Sequence, residues 1–147
     1  MLGQQASSAS AVRLPRVELF RLLAEPGRLQ LLALCEEEEL SVSELATLLD
    51  DSQPQVSRKV SPLREAGLLD ARKDGTRLFL RTDLKTVSAD PVLGEALAEG
   101  RRLCLADGSL SRVPSIVAAR EEQGRSHFEQ APTTTSTPSV PASPGHR

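Results

Sequence analysis

The stretch from Asp51 to Arg81, DSQPQVSRKVSPLREAGLLDARKDGTRLFLR, constrains this chain more than any other. Ser52 is a good helix N-cap, because its hydroxyl can accept a hydrogen bond from a free backbone N–H of the first turn. Gln53 then takes N1 and Pro54 takes N2, where proline's missing N–H costs little. Val56, Val60 and Leu63 recur at i, i+4 and i+7 and make one apolar stripe. Gln53, Gln55, Ser57, Arg58 and Lys59 lie mostly off that stripe and are polar. Pro62 removes one N–H bond, to Arg58, and predicts a mild kink near the helix end. Gly67 follows the last turn, where a left-handed residue closes a helix. Leu68 to Arg72, a Lys-Asp-Gly-Thr turn and Arg77 to Arg81 then read as a hairpin, with Asp74-Gly75 suited to the positive φ of a tight turn.

A helix with such a polar face has the width of the DNA major groove, and its side chains match base edges and phosphates. The hairpin after it would be a wing. From Gln53 to Arg81 there are seven basic residues against three acidic ones, a local net charge of +4 in a chain whose total is −2. That asymmetry is the footprint of a DNA-contacting face, although a solvated helix and hairpin would explain the charge equally well. The preceding residues tilt the balance. Ser41-Val42-Ser43-Glu44 is a capping box, with Glu44 at N3 reaching back, and it starts a short helix through about Leu49. A short helix, a turn at Asp50-Asp51 and a second helix with a polar exposed face make the helix-turn-helix pattern.

From about Leu19 to Thr82 the sequence resembles the ArsR family of winged helix-turn-helix repressors. The pieces that carry the resemblance are the Leu-Ala-Glu-Pro-Gly-Arg-Leu opening, the Ser-Glu-Leu-Ala helix, Ser-Gln-Pro-Gln-Val-Ser-Arg, and Leu-Arg-Glu-Ala-Gly-Leu-Leu before the wing. Each is weak alone, but they occur in order and at the right spacings. The resemblance implies a mainly α fold with a small β-hairpin wing, and a homodimer paired through the first helix and the helices after the wing.

The remaining chain fits that frame. Its 147 residues allow one ordinary domain plus tails. With three Phe and no Tyr or Trp, the core must be Leu, Val and Ala. The organisation read from the sequence is a disordered lead (1–13), the winged domain (14–88), C-terminal helices for dimerisation (89–130) and a disordered Pro/Ser/Thr tail (131–147). The first helix, Leu14 to Ala24, has too many apolar positions for a single stripe, so one side is expected to face a partner chain. The second helix starts at Pro26 and runs to about Cys35, with Leu29, Leu31, Leu32 and Leu34 buried. Glu36 to Glu39 reads as a solvated acidic run. After the wing, Asp90-Pro91 starts a helix that Gly100 weakens and Asp107-Gly108 ends; its apolar face over Val92 to Leu105 looks unemployed. A further helix spans Ser109 to about Gln130. Ile116 to Gln130 is similar to the stretch that leads, in some relatives, into a fused methyltransferase domain; no such domain is expected here. No apolar run approaches the ~20 residues of a membrane span, no secretory signal is visible, and two cysteines suggest a reducing cytoplasm.

Effector chemistry is less legible. Arsenic-sensing relatives carry Cys-Val-Cys at the start of the third helix and a third Cys one turn on. Here those positions are Ser41-Val42-Ser43 and Ala46, and hydroxyls are poor ligands for soft ions. Zinc-sensing relatives use Asp and His pairs after the wing, yet 90–108 contains no histidine. His127 and His146 read as solvated. No metal and no cofactor are expected. Cys35 and Cys104 lie on helices where some relatives hold a thiol or persulfide switch; the plainer reading is two small buried residues.

The sequence therefore predicts a dimeric DNA-binding repressor acting on an inverted-repeat operator in double-stranded DNA, with recognition helices about one turn (~34 Å) apart. Ser52, Gln53, Gln55, Ser57, Arg58 and Lys59 would meet the major groove or its phosphates. Gln55 and Arg58 are the candidates for base edges, and Arg72, Lys73 and Arg77 would reach the backbone or minor groove from the wing. The alternatives are a winged-helix interaction module that has lost DNA binding, or a regulator switched through Cys35 and Cys104. No catalytic constellation or phosphate-binding loop is present.

Overall fold

The computed structural model describes residues 12–130, with side chains through 124. Most of the lead and the tail, with His146, therefore fall outside what is described, as does the side chain of His127. In chain order the elements are α1 (Arg16–Leu23), α2 (Pro26–Glu37), β1 (Leu40–Ser41), α3 (Val42–Leu49), α4 (Gln53–Glu65), β2 (Leu69–Asp74), β3 (Arg77–Thr82), α5 (Leu84–Ser88), α6 (Pro91–Ala106) and α7 (Ser109–Gln130).

The helix-turn-helix is written in its caps. Ser41 Oγ accepts from the Glu44 N–H while Glu44 accepts from the Ser41 N–H, closing the capping box of α3. Asp50 then takes the left-handed region at φ 58°, a conformation its short side chain tolerates, and turns the chain toward α4. A second box opens α4, between Ser52 and Gln55. Its far end closes with Leu68 N–H on Leu63 O at 2.9 Å and Gly67 N–H on Arg64 O at 3.0 Å, Gly67 being at φ 86°. Pro62 does not interrupt α4, which continues to Glu65.

The core gathers around α2. Leu31, Leu32 and Leu34 are buried there with Leu45 and Leu48 of α3, Val56 and Leu63 of α4, Leu80 of β3 and Leu93 of α6. Thr82 donates its hydroxyl to Leu32 O at 2.7 Å and pins the end of β3 to α2. Gly100 plays a different part from the one its sequence suggests. It is the point where α6 lies against the α2 backbone: a Cβ there would sit 2.0 Å from Leu29 O. Leu29 itself is only half-buried, contrary to expectation.

Three other features depart from the sequence reading. The wing is one part of a three-stranded antiparallel sheet, ordered β1-β3-β2, because Leu40 and Ser41 pair with Leu80 and Phe79. A short helix, α5, follows the wing, capped by Asp83. The apolar face of α6 is largely employed within the protomer, since Leu93, Leu97 and Cys104 are buried, leaving Leu105 63% exposed. Within the hairpin, Asp74 pairs with Arg77, so the two turn residues are Gly75, at φ 66°, and Thr76.

The described residues up to Val113 form one compact unit, in which Arg112 donates to Leu48 O at 2.7 Å near the end of α3. From Pro114 the rest of α7 belongs to a second unit. Among the described residues, no helix is long and apolar enough to cross a membrane.

Candidate nucleic-acid interface

The buried stripe of α4 fixes which of its side chains face out. Val56, Val60 and Leu63 are buried, so Gln53, Gln55, Ser57 and Arg58 are exposed. Ser52, also exposed, serves as the cap. Gln55 has two roles competing for it. Its Oε1 accepts the Ser52 N–H at 2.9 Å, which leaves the amide nitrogen as its outward donor. A bidentate contact to adenine needs both atoms, so that contact requires Gln55 to leave the cap. Arg58 makes no ion pair among the described residues.

Lys59 behaves otherwise. Its Nζ lies 2.5 Å from Asp51 Oδ2, and the side chain is only 24% exposed. Its stem runs past Gly27, where a Cβ would come within 2.9 Å of Lys59 Cε and Nζ. Lys59 thus ties the helix-turn-helix turn to the start of α2.

Strand alternation divides the wing cations between two faces. Arg72, Arg77 and Arg81 share the face that carries Phe79, and Lys73, opposite Leu78, points to the other. On the shared face, Arg77 stands across from Asp74 and Arg81 from Asp70. Arg72 is held most firmly. Its Nε and Nη2 donate to the two Glu39 oxygens at 2.9 and 2.7 Å, and its guanidinium lies over the Phe79 ring at 5.0 Å. The hydrogen bond to Glu39 holds its pKa above the ordinary arginine value.

Between α4 and the hairpin lies a groove of about 330 Å³. Gln53 and Ser57 line it from α4, Thr76 and Arg77 from the wing tip, and Ser43 from the first turn of α3. Ser43 and Thr76 were not expected there. The capping box gave the place of Ser43 on its helix, but only the β1–β3 pairing brings that turn beside the wing.

Neither cysteine belongs to this groove. Cys35 and Cys104 are both fully buried. Burial raises the Cys35 thiol far above its usual pKa. Burial raises Cys104 as well, partly offset by hydrogen bonding with Ser109 and Gln30. Both thiols are closed to solvent in this conformation, and the thiolate is the reactive form of a cysteine. No group of three or more metal-ligating side chains occurs among the described residues. On α1, Val17 and Phe20 are 62% and 52% exposed.

Residues 23–72 match the model of a helix-turn-helix domain. The chain is 48% identical over 66 residues to the arsenical resistance operon repressor of Escherichia coli, covering 44% of this chain and 56% of that protein. It is 42% identical over 67 residues to the transcriptional regulator KmtR of Mycobacterium tuberculosis, covering 46% and 52%. To the transcriptional activator HlyU of Vibrio cholerae it is 36% identical over 73 residues, covering 50% of this chain and 68% of that one. The matches thus span about half the length of the first two relatives and two thirds of the third. The solved structure of HlyU from the same organism aligns with a TM-score of 0.47 at 30% identity, over 61% of this chain and 85% of that one.

Proposed function

We infer the function from one premise: the chain belongs to the ArsR family of winged helix-turn-helix transcriptional regulators. On our reading it is a sequence-specific DNA-binding regulator, a homodimeric repressor that acts in the cytoplasm on an inverted-repeat operator. The observation that carries this is the groove where Gln53 and Ser57 of α4 meet Thr76 and Arg77 of the wing, with exposed Arg58 on the same helix. An α-helix seated in the major groove brings its first turns to the base edges, while a flanking hairpin meets the backbone. Arg58 reads guanine, Gln53 and Ser57 meet bases or phosphates near the helix start, and Arg77 and Lys73 grip the backbone from opposite faces of the wing. Lys59, held by Asp51, and Arg72, held by Glu39, contribute by fixing the frame. The exposed Val17, Phe20 and Leu105 are the apolar surface that a second copy would cover.

The test is a gel-shift series on the DNA upstream of the protein's own coding sequence, footprinted first. Arg58→Ala is expected to weaken binding by about 1–3 kcal/mol and to relax preference at one position in each half-site. Lys73→Ala should lower affinity evenly across sequences and reduce the salt slope by about one. Binding that ignores both changes would remove this placement. Binding that does not weaken as salt rises would favour a protein-interaction module instead.

A further inference from the structure

Phe79 poses a problem that leads to the inference. It alternates onto the face of the sheet that carries the charged residues, yet it is only 4% exposed. Two guanidiniums cover it: Arg72 at 5.0 Å and Arg77 at 5.9 Å from the ring centroid. Arg72 is held there by the bidentate contact with Glu39, which precedes β1. The row Ser41–Phe79–Arg72 crosses all three strands, and Glu39 closes it from the β1 side onto the far strand. Since β1 has only two residues, its backbone ladder is short. The Glu39–Arg72 pair therefore supplies a tie between the body of the domain and the outer strand that the ladder alone does not. On the same ring sits Arg77, which lines the groove.

We propose that Glu39 is a positioning residue for DNA binding: by clamping Arg72 over Phe79 it sets the pitch of the wing and so the place of Arg77 in the groove. This rests on the DNA-binding reading above. It gives the acidic run that ends α2 a purpose at its last member, and it makes Arg72 a strut. Exposed ion pairs contribute little in general, but a bidentate arginine pair seated on an aromatic ring is the geometry in which they do contribute. A direct role for Arg72 would give the opposite sign. If Arg72 itself gripped a phosphate, Glu39 would compete with DNA for it, and removing the carboxylate would tighten binding.

The experiment uses the full chain and the footprinted upstream duplex, with Kd measured across a salt series for wild type, Glu39→Gln, Arg77→Ala and the double variant. Hydrogen exchange is followed at the amides of residues 73–78 in the free protein. Glu39→Gln is expected to raise Kd about five-fold without steepening the salt dependence. Arg77→Ala should then cost less in the Glu39→Gln background than in wild type, because the contact it removes is already displaced; a simple loss of stability would produce no such coupling. The wing amides should exchange faster in Glu39→Gln. Tighter binding with a salt slope steeper by about one would overturn the proposal, and so would strictly additive effects of the two changes. Unchanged exchange at residues 73–78 would overturn the clamp alone. A wild-type chain with no salt-dependent binding to the duplex would overturn the DNA-binding reading itself, and the exchange data would still report on the clamp.

Discussion

An alanine at position 100 should destabilise this protein even though it replaces a glycine in the middle of a helix. In an unobstructed helix interior the change gains about 1 kcal/mol, because glycine loses more backbone freedom on folding. At Gly100 the new Cβ would lie 2.0 Å from Leu29 O, 2.7 Å from Leu29 C and 3.2 Å from Ala33 Cβ. Ordinary contact begins near 3.4 Å, so α2 and α6 must part by up to 1.4 Å at this point (3.4 − 2.0). The obstruction is backbone within a helix and cannot rotate aside. Overpacking of this kind costs about 1–3 kcal/mol, and a backbone clash belongs at the upper end. Setting ~3 kcal/mol against the ~1 kcal/mol of regained propensity leaves a net loss of about 2 kcal/mol. Gly94 lies on the same helix with nothing within 4 Å of a built Cβ in the protomer. Gly94→Ala should therefore gain about 1 kcal/mol, which separates the two variants by about 3 kcal/mol. Urea unfolding followed by circular dichroism measures both. Separation of the helices should also loosen the Gln30–Asp107 bond, now 2.6 Å. A Gly100→Ala protein as stable as the wild type would refute the close approach and with it the account of how α6 is seated.

Two further outcomes follow from charges and thiols. Asp90 caps α6 and accepts a bidentate contact from Arg16 at 2.6 and 2.9 Å. That hydrogen bonding, helped by the Val92 N–H against a smaller cost of burial, holds its pKa below the usual 3.8. A depressed folded pKa gives stability that is full above the unfolded value and is lost as pH falls through the folded one. Asparagine keeps the cap but not the charge, so Asp90→Asn should be less stable than wild type at neutral pH, and the deficit should shrink as pH drops below 3.8; a deficit that holds constant with pH would assign it to packing. For the cysteines, iodoacetamide should leave both Cys35 and Cys104 unmodified in the native protein and label both in urea. Rapid labelling of the folded chain would favour the thiol switch over two buried core residues.

What could be read from the sequence was what is decided locally. Ser41 and Glu44 specify a helix start through contacts three residues apart, Ser52 followed by Pro54 marks another within its first turn, and Gly67 marks its helix end by a backbone angle. The stripe of Val56, Val60 and Leu63 needs no partner to be recognised. The pairing of β1 was invisible because two residues, Leu40 and Ser41, have no period of their own; they are a strand only because β3 is beside them. Gly100 misled for the same reason. Glycine in a helix looks like weakness until the Leu29 carbonyl that fills its missing side chain is known. Helix α5 is five residues long and stands on the Asp83 cap and the burial of Thr86 and Val87, a tertiary contribution that no window of sequence displays.

The candidate site was legible in its membership more than in its roles. A local charge of +4 counts every cation alike, whereas the folded chain assigns them separately. Lys59 is committed to Asp51, just ahead of the basic window, and Arg72 to Glu39, which lies in a different element and well before it in sequence. Strand alternation then sends Lys73 to the face opposite Arg77. What remains directed outward beside the groove is Arg58 and Arg77 with the uncharged Gln53, Ser57, Ser43 and Thr76. Such a surface has few cations to spend on phosphates and several groups able to form directional hydrogen bonds. On the DNA-binding reading proposed above, discrimination between operators would rest on how accurately the wing and α4 are held relative to each other. The side chains that hold them, Glu39 and Asp51, carry the charge opposite to the one by which the interface was first noticed.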